Sequence, residues 1–248
     1  MGAQQCVDPG RRRLLAAGGA LILGASLGSA GASAQPSATK TPIGVIGSGH
    51  IGSTVGGLWV EAGHPVLFSS RHPDDLKDMV EKLGPRAKAG TVAEAIAFGG
   101  ALLIAVPYGA LPGIGRDNRA ALAGKVVLDA CNAVASRDGD IAAEVERNGI
   151  GVTSQKYLPG AHVVRAFNTL SYQILAREAH RAAPRLAIPI AGDDAAALRI
   201  AEGLVRDAGF DPVVVGKLAD ASRFQRGGPG YGQNVSAAEL KRTLSLAP

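Results

Sequence analysis

From Pro42 onward, short apolar runs alternate with longer stretches in which apolar positions recur every three or four residues. That alternation marks strand–helix units feeding a parallel sheet. Residues 43–46 are expected as the first strand, and 51–62 as a helix stopped by Gly63 in the left-handed cap position. Residues 65–69 make the second strand. Pro73, Asp74 and Asp75 then open a helix, placing proline and acids in a first turn that favours both. Residues 91–98 form a short helix. Residues 101–106 are apolar on both faces and read as a central, fourth strand, the third being left without a position. A helix over 110–122 is weakened at its start by Pro112, Gly113 and Gly115. Further strands fall at 126–130 and 163–167, with a helix at 141–147 between them. Residues 186–191, 193–207 and 212–215 add one more βαβ unit, and 227–232 (Gly-Gly-Pro-Gly-Tyr-Gly) is loop. There is no repeat beyond this alternation.

The first turn carries candidate chemistry. Gly47-Ser48-Gly49-His50-Ile51-Gly52 follows a strand and opens an amphipathic helix, and a second strand ends about 20 residues later. That is the dinucleotide-binding context of a Rossmann fold. Gly47 serves the tight turn, Gly49 the approach of a pyrophosphate, and Gly52 the close packing of helix on strand. The free amides and positive dipole end of the helix suit phosphates. At the end of the second strand stand Ser69, Ser70 and Arg71, with no acid before Asp74. Two hydroxyls and a guanidinium suit a 2′-phosphate, which an acid would repel, so NADP(H) is expected over NAD. Val106, Pro107 and Tyr108 close the fourth strand where ribose and nicotinamide would pass. Tyr108 is expected either to stack there or to stand as an exposed loop aromatic.

Composition narrows the class. The 248 residues are 46% apolar, 4% aromatic and hold 34 glycines, which suits close helix-on-sheet packing in one α/β domain. Two of the five net positive charges fall in residues 1–34, where Arg11, Arg12 and Arg13 face only Asp8. The remaining basic residues form no stripe, which argues against nucleic acid. The arginines, an apolar run to about Gly28 and the small-residue end Gly31-Ala32-Ser33-Ala34 together read as a signal peptide. Arg11-Arg12-Arg13-Leu14-Leu15 resembles a Tat leader, although Gly10 replaces the usual hydroxyl residue. Export, cleavage before Gln35 and a periplasmic location are the expectations, with no stable membrane span afterwards. Residues 35–41 are a polar linker, 42–225 the nucleotide-binding domain, and 226–248 a glycine-rich loop and tail. Cys6 lies in the leader, so Cys131 is the sole mature thiol. The five histidines have no ligand spacing, and no metal is expected.

Several segments in order carry a family resemblance: 43–52 (Ile-Gly-Val-Ile-Gly-Ser-Gly-His-Ile-Gly), 69–71, 106–108, Asp129-Ala130-Cys131-Asn132, 163–169 (Val-Val-Arg-Ala-Phe-Asn-Thr) and 191–194. Over residues 42–225 the chain resembles the coenzyme F420-dependent NADP oxidoreductases, the NADPH-dependent reductases of the deazaflavin F420. The resemblance implies an eight-stranded, doubly wound, mainly parallel sheet with a small C-terminal lobe, often in a homodimer. It implies hydride transfer between NADPH and a deazaflavin stacked on the nicotinamide outside the strand ends. Pro107, Asn132, Ala133, Phe167, Asn168, Thr169 and Leu170 match that cleft. Asn168 either bonds the acceptor ring or carboxamide, or caps the next helix. Hydride transfer between stacked rings needs alignment more than an acid or base, so no general acid is named. No stretch after the fifth strand is long enough for a large helical substrate domain, which leaves the acceptor at the open sheet edge. A flavin or ferric acceptor, and a non-catalytic NADP-binding module, stay open as alternatives. The loop at 227–232 is either loose or a lid.

Overall fold

The computed structural model describes residues 40–247. The expected leader and most of the linker, Cys6 included, lie outside the described residues. Eight strands form one sheet in the order β3-β2-β1-β4-β5-β6-β7-β8. They are β1 (Ile43–Ile46), β2 (Val66–Ser69), β3 (Ala87–Gly90), β4 (Ala101–Ile104), β5 (Val126–Asp129), β6 (His162–Arg165), β7 (Ala187–Gly192) and β8 (Asp211–Gly216). The helices are α1 (His50–Glu61), α2 (Lys77–Leu83), α3 (Val92–Phe98), α4 (Leu111–Asp117), α5 (Arg119–Leu122), α6 (Ala135–Asn148), α7 (Ile150–Tyr157), α8 (Tyr172–Glu178), α9 (Ala195–Asp207) and α10 (Ala237–Thr243). Among the described residues no helix is long and apolar enough to cross a membrane.

Both faces of the sheet are covered, as a doubly wound fold requires. Alternate residues of each central strand feed two cores. Val45, Leu103, Leu128 and Val164 join Trp59, Phe167 and Phe210 in one. Ile46, Leu102, Val127 and Val163 join Ile96, Leu158 and Phe224 in the other. Trp59 also donates its indole N–H to the Leu204 carbonyl at 2.8 Å, tying α1 to α9. At the amino edge of the sheet, His64 bonds both the Thr41 carbonyl and Asp207, and Lys40 pairs with Asp207 at 2.9 Å.

Strands β1 to β6 are parallel, whereas β7 runs antiparallel to β6 and parallel to β8. The expected C-terminal lobe is this β7–α9–β8 unit together with the remaining C-terminal residues, and it extends the same sheet. A 3₁₀ turn at Leu218–Arg223 carries the chain along α7 and back to the end of β6.

The sequence pattern differs from the structure in a few places. The third strand, Ala-Lys-Ala-Gly, is an edge strand with Lys88 exposed, so it shows no apolar run. The helix expected over 110–122 breaks at Asn118, whose backbone leaves helical geometry. The helix expected at 141–147 begins earlier, at Ala135, and bends at Gly139. Helices α7, α8 and α10 have no counterpart in the apolar pattern. In α7 the buried positions include Gly151, Thr153 and Ser154, so its core face carries little apolar signal. In α10, which falls in the segment expected as tail, a capping box of Ser236 and Glu239 starts the helix, and Leu240 and Leu244 are buried.

Candidate functional site

The sheet order reverses between β1 and β4, since β1's other neighbour is β2. At such a switch point the connections from the two strands leave toward opposite faces and open a crevice beyond the carboxyl ends. A cavity of about 500 Å³ lies there. It is lined by Gly47, Ser48 and Gly49 after β1, Ser69, Ser70 and Arg71 at the end of β2, and Val106 and Pro107 after β4. Eight of the residues proposed from sequence therefore share one wall.

The three glycines play different parts. Gly47 has φ +93, and a Cβ there would sit 2.5 Å from Val106. A Cβ at Gly52 would collide with the Gly47 carbonyl, so α1 docks on the turn only without a side chain. At Gly49 a Cβ would meet nothing within 4 Å. Packing does not explain that glycine, whereas a group bound in the open space would. Gly49 is also the N-cap of α1, with no side-chain cap and no acid in the first turn. The positive end of the helix is thus free for an anion.

The strand-β2 side fits a phosphate as well. Ser69 is fully buried and its Oγ has no hydrogen-bond partner among the described residues. Arg71 is exposed and makes no ion pair among them, while the next acid, Asp74, pairs with Lys77 at 2.9 Å. Ser48 Oγ donates to the Ser69 carbonyl at 3.0 Å and joins the two loops.

Other expectations are refined. Ile51 turns toward the core, leaving only its backbone available. His50 stacks flat on Tyr172, with ring centroids 4.2 Å apart at 9°, bracing the tip of α1 against the start of α8. Tyr108 is a correction: it neither stacks in the cleft nor stands exposed. Its side chain is buried, and its hydroxyl lies 3.0 Å from Ser154 Oγ and donates to the Ile150 carbonyl. Burial pushes that hydroxyl well above the ordinary tyrosine range. The signal available in the sequence is only an aromatic after Val-Pro, and its partner lies 46 residues away.

Beyond β5 and β6 lie Asn132 and Asn168. Asn132 Nδ2 donates to the Asn168 carbonyl at 2.6 Å, and Asn168 Nδ2 donates to the Phe224 carbonyl at 3.2 Å. Neither Oδ1 has a partner among the described residues, although both are shut off from solvent. Each orphan of this kind costs about 1–3 kcal/mol. The expectation that Asn168 caps the following helix is corrected, because Ser171 is the N-cap of α8. A second cavity, about 600 Å³, opens beside Ala133, Val134, Gln225 and Arg226. The 227–232 loop is pinned next to Asn168 by Gly232 N–H donating to the Thr169 carbonyl at 3.0 Å.

Sequence reasoning missed what holds these asparagines. Asp129 and Arg165 are register partners on β5 and β6 and form a fully buried ion pair. Asp129 Oδ1 accepts from Cys131 N–H at 2.9 Å, and Arg165 Nη2 donates to the Cys131 carbonyl at 2.6 Å. The peptide before Asn132 is therefore clamped on both sides. Burial pushes the Cys131 thiol up, so it stays protonated and unreactive.

Residues 42–133, which contain both the glycine turn and the Ser69–Arg71 corner, match the family described as NADP oxidoreductase coenzyme F420-dependent. The resemblance drawn from the sequence is borne out. A 63-residue stretch is 43% identical to YjhV of Escherichia coli (strain K12), and this match spans 25% of the chain and just under half, 46%, of that relative. Among solved structures, the hypothetical protein SMa0349 from Sinorhizobium meliloti is 28% identical with a TM-score of 0.67, covering 79% of this chain and 95% of its own. A protein assigned as an F420 dependent NADP-reductase from Arthrobacter sp. FB24 shares the fold at 22% identity and a TM-score of 0.59, with 73% and 87% covered.

Proposed function

We infer that the chain is an NADP(H)-dependent oxidoreductase that passes a hydride between NADPH and a deazaflavin-type acceptor. The observation that carries this reading is the switch-point cavity, where an open Gly49, an uncapped helix tip and the Ser69-Ser70-Arg71 corner share one wall. When bound, NADPH supplies the hydride. The chain's own residues bind and orient. The tip of α1 takes the diphosphate, Ser69, Ser70 and Arg71 take the 2′-phosphate, and Val106 and Pro107 flank the path toward β5 and β6. The side chains presented at those strand ends, Asn132 and Asn168, are neutral amides with no proton to give. That favours ring-to-ring transfer, which depends on proximity and alignment, over reduction of an imine or carbonyl, which needs a proton.

A nicotinamide-absorbance assay with deazaflavin, flavin mononucleotide and ferric chelates in parallel tests this. NADPH oxidation only with deazaflavin is the expected result. Oxidation with flavin or ferric chelate instead would move the acceptor class, and no oxidation with any of them would leave a binding module. In the same assay Arg71→Asp is expected to raise KM for NADPH by about 30-fold or more, roughly the worth of one charge-assisted contact plus the new repulsion. KM for NADH should change little. Equal losses for both coenzymes would remove the 2′-phosphate assignment. The leader expected at residues 1–34 places this activity outside the cytoplasm in the same reading. N-terminal sequencing of exported protein should then begin at Gln35, and an uncleaved chain held in membranes would contradict it.

A further inference from the structure

Resting on the nucleotide reading above, we propose that the side-chain oxygens of Asn132 and Asn168 receive the N–H donors of a planar heterocycle bound at the ends of β5 and β6. The two ends of an asparagine amide are told apart by their partners. Here both NH₂ groups face main-chain carbonyls, of Asn168 and of Phe224, which can only accept. Each Oδ1 is therefore fixed as an acceptor, and both are buried without a donor among the described residues. Native proteins leave few such groups unpaired. Two of them on hydrogen-bonded neighbours at one sheet edge are accounted for if a bound group brings the donors.

The surroundings are built to hold these amides still. Below them, the Asp129–Arg165 pair clamps the Cys131 peptide from both sides. Before Asn168, Phe167 occupies φ +59, a conformation that non-glycine residues rarely adopt. Edge contacts with Trp59 and Phe210, at 5.9 and 6.2 Å between ring centroids, keep it there. Backbone strain retained in this way tends to accompany positioning of a functional group. Next to Asn132, Ala133 and Val134 line a cavity of about 600 Å³, within the range of small-molecule sites.

Two acceptors demand hydrogens on the ligand. A nicotinamide carboxamide offers two on one nitrogen, and the imide edge of a flavin-type ring offers one between two carbonyls. Isothermal titration of the full-length chain separates these sources. NADPH is compared with its 3-acetylpyridine analogue, in which a methyl replaces the NH₂. Flavin mononucleotide is compared with its N3-methyl derivative. The donor-less member of one pair is expected to bind about tenfold more weakly. Loss in the first pair supports the proposal with the coenzyme as source, and loss in the second supports it with the acceptor as source. Equal affinity within both pairs overturns it and leaves the two oxygens to internal water.

Asn168→Ser and Asn132→Ala, each checked for folding by circular-dichroism melting, should level the discriminating pair. A folded variant that still discriminates also overturns the proposal, and Asn132→Ala suffices if the other does not fold. NADPH that binds without discrimination, with flavin also indifferent, sinks this proposal alone. NADPH that fails to bind the wild-type chain sinks the nucleotide reading and takes this one with it.

Discussion

Gly49→Asp is expected to leave the melting temperature unchanged or slightly raised while reducing NADPH affinity by about a thousandfold. The two effects part because Gly49 is held by no packing contact: a Cβ there meets nothing within 4 Å. Its backbone, at φ −72 and ψ −164, is the extended conformation of an ordinary N-cap. Aspartate is among the best N-cap residues, so it would complete the uncapped start of α1. The same carboxylate would take the amides meant for a diphosphate and set a like charge against it, a penalty of several kcal/mol, or roughly 10³ in affinity. Circular-dichroism melting and titration calorimetry read the two quantities separately. Gly52→Asp is the control, since its Cβ would collide with the Gly47 carbonyl and the fold itself should suffer. NADPH binding that survives Gly49→Asp would mean the diphosphate lies elsewhere.

Asp129→Leu is expected to destabilise the protein by about 3–5 kcal/mol, the cost of stranding one member of a buried ion pair. Both side chains are fully buried, so water cannot replace the lost partner of Arg165. Against a typical total of roughly 5–15 kcal/mol, this is a large share of the folding free energy. Asp129→Leu combined with Arg165→Met removes both charges and should recover much of the loss, because an apolar pair no longer has to be desolvated. Urea unfolding of the single and double variants measures the difference. A single variant as stable as wild type would show that the pair is dispensable. In the double variant the Cys131 peptide loses its clamp, so acceptor turnover should stay low even where stability returns.

The glycine turn, the Ser69-Ser70-Arg71 corner and Val106-Pro107 were legible because each is set by neighbours in the chain. A strand followed by a glycine turn and an amphipathic helix leaves the turn one place to go, at the carboxyl edge of the sheet. Tyr108 and Asn168 were legible as residues but not as roles. Their partners, Ser154 and Phe224, lie 46 and 56 residues downstream, and no local pattern announces which side chain turns inward. Likewise α7 was hidden because it packs through Gly151, Thr153 and Ser154 against the turn at Leu218–Arg223, where small size matters more than hydrophobicity.

Sequence by itself determined the sheet-and-helix class, the nucleotide-facing turn and the charge that selects the coenzyme, since these come from periodicity and short-range spacing. Only the tertiary structure decided that Asp129 meets Arg165, that β7 reverses direction beside β6, and that two asparagine oxygens are left facing no donor. The physical reason is that burial and pairing belong to places in space. Residues 36 apart in the chain become register partners only when neighbouring strands align.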